Sequence, residues 1–316
     1  FDRMGRALLA RTGSALQLAL VLVGLCFFGG MIITNDVSLL TFVPFTFVVL
    51  SGLAPDTRRA LTIPVVCMQT IAANLGSMLT PIGNPQNLYL YGKSGMRMAE
   101  FLLLMLPYTV VSLLLLVGWA VAVCRKQASS FIGVLPEQPN TTADRKIILL
   151  DAVLFAVCLL AVVRVLPYGV AFAAVLVCTL CADRSTLRNV DYSLLLTFVA
   201  FFVFIGNLGR IPAFSGWLQA ILAGREVLVA VLASQVTSNV PAALLLSGFT
   251  DETAALIIGT NLGGLGTLIA SMASLISYRQ IARELPEEKD LYFKLFTLSN
   301  LIFLVILLAE WRILGR

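Results

Sequence analysis

Histidine is missing from this chain of 316 residues, and charged side chains make up only 12% of it. Without histidine there is no HExxH zinc peptidase and no Ser-His-Asp hydrolase. No paired catalytic acids offset that loss, so the chain does not read as an enzyme. A soluble domain carries about 25% charged residues, roughly twice the fraction here. Cysteine is scarce as well: Cys26, Cys67, Cys124, Cys158, Cys178 and Cys181 all lie in or at the ends of apolar segments. Cys178 and Cys181 form a CxxC without histidine or a nearby carboxylate, so buried inert thiols are expected rather than metal or redox chemistry. The net charge of +5 calls for no nucleic acid partner. Basic residues sit in short loops, as the cytoplasmic loops of membrane proteins require.

What the chain has instead is long apolar runs. Uncharged stretches cover residues 12–35, 37–55, 60–92, 101–124, 165–181, 192–209, 227–250 and 253–278, and about 20 residues cross a bilayer. A soluble core helix keeps a polar stripe at 3.6-residue spacing, because one face meets water; these runs have none. A cleaved signal peptide would account for one short run near the start and leave the rest unexplained. The expectation is an all-α polytopic protein integral to the cell (inner or plasma) membrane, with the lipid bilayer as its solvent.

The chain also matches itself. Thr34-Asn35-Asp36-Val37 aligns with Thr237-Ser238-Asn239-Val240 at an offset of 203, and Gly5-Arg6 aligns with Gly209-Arg210 at 204. Further on, Asn74-Leu75-Gly76 aligns with Asn261-Leu262-Gly263, and Thr80 with Thr267, at 187. This order predicts two inverted repeats, residues 1–125 and 147–316, joined by a cytoplasmic linker over 126–146. The second repeat carries three further apolar segments, 147–166, 167–181 and 192–207. Two equal repeats would therefore require a stretch of roughly sixty residues ahead of residue 1. Re-entrant hairpins are expected at 14–53, with its tip at Thr34-Asn35-Asp36, and at 227–249, with its tip at Thr237-Ser238-Asn239. That topology puts most of the 22 Lys and Arg in the cytoplasm, as the positive-inside rule asks. A conventional pair of crossing helices is the alternative for the first segment, since 14–34 is long enough to span.

Residues 60–92 are too long for one helix and contain Asn74-Leu75-Gly76-Ser77 and Thr80-Pro81-Ile82-Gly83-Asn84-Pro85-Gln86-Asn87. Proline and glycine there interrupt the backbone ladder, and freed amides and carbonyls in lipid must line a polar cavity. Asn261-Leu262-Gly263-Gly264-Leu265-Gly266-Thr267 repeats the pattern. Two broken transmembrane helices are thus expected, whose half-helix N-termini suit an anion and whose C-terminal carbonyls suit a hard cation. Small residues also mediate helix packing in membranes, which is the competing explanation of the glycines. Asp36 stands alone as an ionisable group within its apolar segment. It is a candidate sodium ligand or proton carrier, with a hydrogen-bonded structural aspartate as the alternative.

The string from Asn74 to Asn87, with Thr34-Asn35-Asp36 before it and Ser238-Asn239-Val240-Pro241 after it, resembles the ion transporter superfamily over nearly the whole chain. That superfamily includes divalent-anion/sodium symporters, citrate transporters, arsenite permeases and sodium/proton antiporters. The resemblance implies a scaffold domain and a mobile transport domain, an elevator-type motion and a homodimer. In its sodium-coupled members, Ser-Asn-Thr motifs at both hairpin tips hold sodium and touch substrate carboxylates. Asn35 and Ser238 match the first motif position, Asp36 and Asn239 the second, and valine replaces both threonines, leaving Thr34 and Thr237 as nearby hydroxyls. Asn35, Asn74, Thr80, Asn84, Ser238, Asn261 and Thr267 are therefore expected to bind substrate. Thr34, Asn35, Asp36, Gly76, Thr237, Ser238, Asn239 and Gly263 are expected to couple a cation or proton, with sodium at Asp36 and Asn239. The function implied is secondary active transport of a small anion, a carboxylate among the candidates, coupled to sodium or protons, with no cofactor beyond that ion. Arsenite or oxyanion efflux and sodium/proton antiport are the alternatives.

Overall fold

Ser14 accepts the backbone N–H of Gln17 at 3.2 Å and so opens the first helix, α1 (Ala15–Ile33). This computed structural model describes residues 12–125, 145–182, 184, 187 and 192–315. Every regular element among them is helical. Gly5-Arg6 and residues 126–144 of the expected linker lie outside the described residues.

Helix α1 stops at Thr34, and α2 (Asn35–Leu50) begins at once. The two run back along each other: Ser38 Oγ donates to the Cys26 carbonyl at 3.2 Å. Leu18, Leu22, Phe45 and Val49 form a buried cluster at the open end of this pair, with Leu61 and Val65 of the next helix. That helix, α3 (Pro55–Ser77), starts with proline, whose missing amide costs nothing in a first turn. It is the core of its unit. Its apolar stretch is 89% buried, against 39%, 33% and 39% for α1, α5 (Met98–Cys124) and the span Pro286–Leu314. Gln69 on α3 ties the α1–α2 pair together, donating to the Leu22 carbonyl at 3.1 Å and to Thr46 Oγ1 at 2.8 Å.

Past Ser77 the helix breaks into a short 3-10 turn, Pro81–Gly83, and resumes as α4 (Pro85–Ser94), which ends at Gly95 with φ 69°. The later part of the chain has the same plan. Helices α10 (Glu226–Thr237) and α11 (Asn239–Leu246) meet at Ser238. Helix α12 (Thr253–Leu262) then gives way to non-helical residues 263–271 before α13 (Met272–Glu284). Helix α14 (Lys289–Leu314) closes the chain.

The described residues fall into two compact units, divided between residues 125 and 145 and at Gly206/Asn207. The larger contains both helix pairs, both broken stretches, α5, α9 (Pro212–Leu222) and α14. The smaller contains α6 (Arg145–Val162), α7 (Tyr168–Ala182) and most of α8 (Tyr192–Leu208). This division differs from the expected boundary between repeats at residues 126–146.

Among the described residues, four helices are long and apolar enough to cross a membrane: α1, α3, α5 and the span Pro286–Leu314. Their outer faces carry exposed Leu103, Leu106, Val110 and Leu114 on α5 and Leu298, Leu301 and Val305 on α14. A soluble protein would cover such continuous apolar surface; lipid makes that unnecessary. The chain is an integral membrane protein. The expectation of buried thiols at the CxxC needs correction, because Cys178 is only partly buried and Cys181 is exposed, as is Cys158, whereas Cys26, Cys67 and Cys124 are buried. Cys158, Cys178 and Cys181 sit on α6 and α7, whose apolar faces are largely uncovered.

Candidate functional site

The chain reverses at two residues with nearly the same unusual backbone. Thr34 has φ 73° and ψ 154°, and Ser238 has φ 74° and ψ 154°. This region of conformational space belongs almost wholly to glycine and costs another residue roughly 1 to 3 kcal/mol. The shared conformation pairs Thr34 with Ser238, an offset of 204 rather than 203. Asn35 therefore corresponds to Asn239, and Asp36 to Val240. Residue identity favours the offset of 203, because Thr34 and Thr237, and Val37 and Val240, are identical pairs, whereas the positive φ of the turning residues favours 204. Thr34→Gly and Ser238→Gly should each raise stability by about 1 to 2 kcal/mol by removing this strain. Thermal unfolding in lipid nanodiscs measures it, and a fall in stability for both would show that the side chains outweigh the strain.

Each tip abuts a broken stretch in the same way. Thr80 Oγ1 donates to the Met31 carbonyl at 2.6 Å, and Thr267 Oγ1 donates to the Gln235 carbonyl at 3.3 Å. These partners match at offsets of 187 and 204. The second break is held further by the Gln235 side chain. Its Nε2 donates to the carbonyls of Gly263 at 3.0 Å and Leu265 at 2.9 Å, and its Oε1 accepts the Thr267 N–H at 2.9 Å. Backbone groups released by the break are thereby satisfied without water.

Between the breaks lies a buried cluster of amides and hydroxyls. Asn74 Oδ1 accepts from Asn35 Nδ2 at 3.1 Å and from Ser271 Oγ at 2.9 Å, while its Nδ2 reaches Ser274 Oγ at 3.4 Å. Asn261 Nδ2 donates to Asn87 Oδ1 at 2.6 Å and to the Ile257 carbonyl at 2.7 Å. Asn84 Nδ2 donates to Ser77 Oγ at 2.7 Å, and Asn87 Nδ2 reaches the carbonyls of Ser77, Met78 and Thr80. Asn84 Oδ1, Asn261 Oδ1 and both polar atoms of Gln86 are buried with no hydrogen-bond partner among the described residues. The linked side chains Asn35, Asn74, Ser77, Asn84, Asn87, Asn261, Ser271 and Ser274 are all neutral.

The expected site residues thus divide. Asn35, Asn74, Asn84 and Asn261 are brought together in the cluster, and Thr80 fastens the first break to α1. Ser238 and Asn239 lie against the second break: Asn239 N–H donates to the Ala270 carbonyl at 2.9 Å, and Ser238 Oγ reaches the same oxygen at 3.4 Å. Thr237 is exposed, and its hydroxyl bonds its own helix at Ala233 O, 3.0 Å away. Thr267 is also exposed. Asp36 is half-buried in the first turn of α2, and its carboxylate has no hydrogen-bond partner among the described residues. Gly76 and Gly263 serve close packing: a Cβ on Gly76 would lie 2.0 Å from the Phe27 carbonyl oxygen, and one on Gly263 would lie 2.6 Å from Ser234 Oγ.

Gln235, Asn87, Ser271 and Ser274 were not anticipated. For the serines a signal existed, since the offset of 187 carries Asn84 to Ser271 and Asn87 to Ser274. Gln235 gave none, because its counterpart is the apolar Met31.

Comparison with known proteins places this geometry in context. Residues 1–257 match a protein family described as citrate transporter. An inner membrane protein of Escherichia coli, YbiR, is 33% identical over 292 residues, covering 88% of this chain and 73% of its own. An uncharacterized transporter of Methanocaldococcus jannaschii, MJ0456, is 32% identical over 277 residues, covering 83% of this chain and 70% of its own. A third relative, named as an uncharacterized transporter of Mycobacterium tuberculosis, is 23% identical over 297 residues, with 83% and 68% covered.

Proposed function

We propose that this chain, which belongs to the citrate transporter family, moves a small anion by secondary active transport coupled to sodium or protons. Carboxylates are the first substrates to test. The observation that carries this reading is the pair of strained tips, each seated on a broken helix, with a buried neutral cluster between the breaks. Matched breaks in two halves of a chain are how such carriers build a site within the bilayer. The helix pairs α1–α2 and α10–α11 are then re-entrant hairpins of two inverted repeats. An elevator-type motion and a homodimer belong to the same proposal.

Neutral amides suit an anion only if its charge is balanced from elsewhere. No lysine or arginine belongs to the hydrogen-bonded cluster, so a coupling cation supplies the balance, and amide and backbone oxygens are suitable ligands for sodium. Asp36 is the acidic group beside the first tip, and its counterpart Val240 cannot titrate. In this reading Asp36 couples the driving ion, and Asn239 belongs to a second, neutral cation site. Arsenite or oxyanion efflux is the second reading, favoured by the Thr80-Pro81-Ile82-Gly83-Asn84-Pro85 string, and sodium/proton antiport through Asp36 is the third.

Purified protein in proteoliposomes tests these readings, with a panel of carboxylates and oxyanions under imposed sodium or pH gradients. Counterflow separates a carrier from a channel. Asp36→Asn keeps shape and removes charge, so gradient-driven uptake should fall at least tenfold while counterflow persists. Equal coupled rates in the variant and the wild type would remove Asp36 from the coupling mechanism.

A further inference from the structure

Asn74 and Asn261 occupy equivalent places in the two halves of the cluster, and their carbonyl oxygens are treated unequally. Three features fix the correspondence. The tips Thr34 and Ser238 share one backbone conformation. The hydroxyls of Thr80 and Thr267 bond the carbonyls of Met31 and Gln235. Asn74 reaches Ser274 as Asn261 reaches Asn87, each bond crossing from one half to the other. The same offsets pair Asn35 with Asn239 and Ser271 with Asn84.

Around Asn74 both donors are engaged: Asn35 Nδ2 at 3.1 Å and Ser271 Oγ at 2.9 Å. Around Asn261 the matching donors are Asn239 Nδ2 and Asn84 Nδ2. Neither reaches it, and Asn261 Oδ1 is buried without a partner among the described residues. Asn84 Nδ2 is held by Ser77 Oγ at 2.7 Å instead. The counterpart of Ser77 is Gly264, which has no hydroxyl to offer.

We propose that these residues form a two-position hydrogen-bond switch. In the described state Asn74 gathers Asn35 and Ser271; in the other, Asn74 releases them and Asn261 gathers Asn239 and Asn84. Each half has an asparagine acceptor and two donors at matching positions, an asparagine amide in both and a hydroxyl (Ser271) matched by an amide (Asn84), engaged in one half and not in the other. An unfilled buried acceptor is unfavourable, and each state leaves one: Asn261 Oδ1 in the described state, Asn74 Oδ1 in the other. With the Asn84–Ser77 bond counted, three bonds break and two form, so the described state is favoured by about one net hydrogen bond. Ser77 is the catch that keeps Asn84 from Asn261 in the described state. The inference rests on the proposed reading of an inverted-repeat carrier, in which one part moves against another around the site.

Hydrogen exchange of the full chain in nanodiscs, read by mass spectrometry at the two tips, tests the switch. Ser271→Ala weakens the Asn74 side, so exchange should quicken at residues 33–37 and slow at 237–241. Asn84→Ala removes a donor to Asn261, so the ratio of the two tips should move the opposite way. Each shift should be roughly three- to tenfold, the range of one net hydrogen bond. Ser77→Ala frees Asn84 and should move the ratio with Ser271→Ala. Ratios that move in the same direction in Ser271→Ala and Asn84→Ala, or that stay unchanged, would overturn the switch. Counterflow by the wild type keeps the two ideas apart. Opposite tip shifts without counterflow retain the switch and remove the transport reading, whereas counterflow without opposite shifts does the reverse.

Discussion

Asn74→Ala should abolish transport and destabilise the protein by about 3 to 5 kcal/mol, the upper range for a single substitution. The side chain is buried and makes three hydrogen bonds, to Asn35, Ser271 and Ser274, joining one hairpin tip and both broken stretches. Alanine leaves those partners facing an apolar void. Each orphaned buried group costs roughly 1 to 3 kcal/mol, more than the net worth of the bond it lost. Water would reduce the loss only if it could reach a buried site lined by residues of α2, α3 and α13. Thermal unfolding in nanodiscs and counterflow in proteoliposomes provide the two readouts. A variant less than 1 kcal/mol below wild type would show that the cluster is wet and its bonds exchangeable with solvent.

Gly76→Ala should be nearly as damaging, at about 3 kcal/mol or more, for a different reason. The added methyl would sit 2.0 Å from the Phe27 carbonyl oxygen and 2.7 Å from its carbon. Both belong to the backbone of α1, so no side-chain rotation relieves the clash and the two helices must part. Overpacking typically costs 1 to 3 kcal/mol even where side chains can adjust. Gly118→Ala is the control, since nothing lies within 4 Å of the position and alanine is the better helix former. It should be neutral or stabilising by up to about 1 kcal/mol. Equal stability of the two variants would mean that α1 and α3 do not cross as closely as described. The superfamily resemblance implies a cation-coupling place for Gly76; the structure gives it a packing task whatever it does for an ion.

How much of this was legible beforehand differs from residue to residue. The breaks at Pro81 to Pro85 and at Gly263 to Gly266 were readable, because proline and glycine act on their own backbone whatever surrounds them. The reversal near residues 34 and 238 was readable to within one residue, since small polar groups in an apolar run mark it. The register was not readable: side-chain identity matched Thr34 to Thr237, whereas the chain turns on the residue that takes positive φ. Ser271 and Ser274 looked like ordinary serines until α13 brought them to Asn74.

By itself the sequence determined that the chain lives in lipid and where its helices fail. Both follow from local properties, the length of apolar runs and the covalent limits of proline and glycine. The tertiary structure decided which polar groups meet: that Asn35 rather than Asp36 faces Asn74, that Gln235 secures the second break, and that Asn261 is left with an open acceptor. Those outcomes depend on contacts between residues far apart in the chain. Hydrogen bonds of this kind are fixed by distances of a few tenths of an ångström that no local pattern encodes.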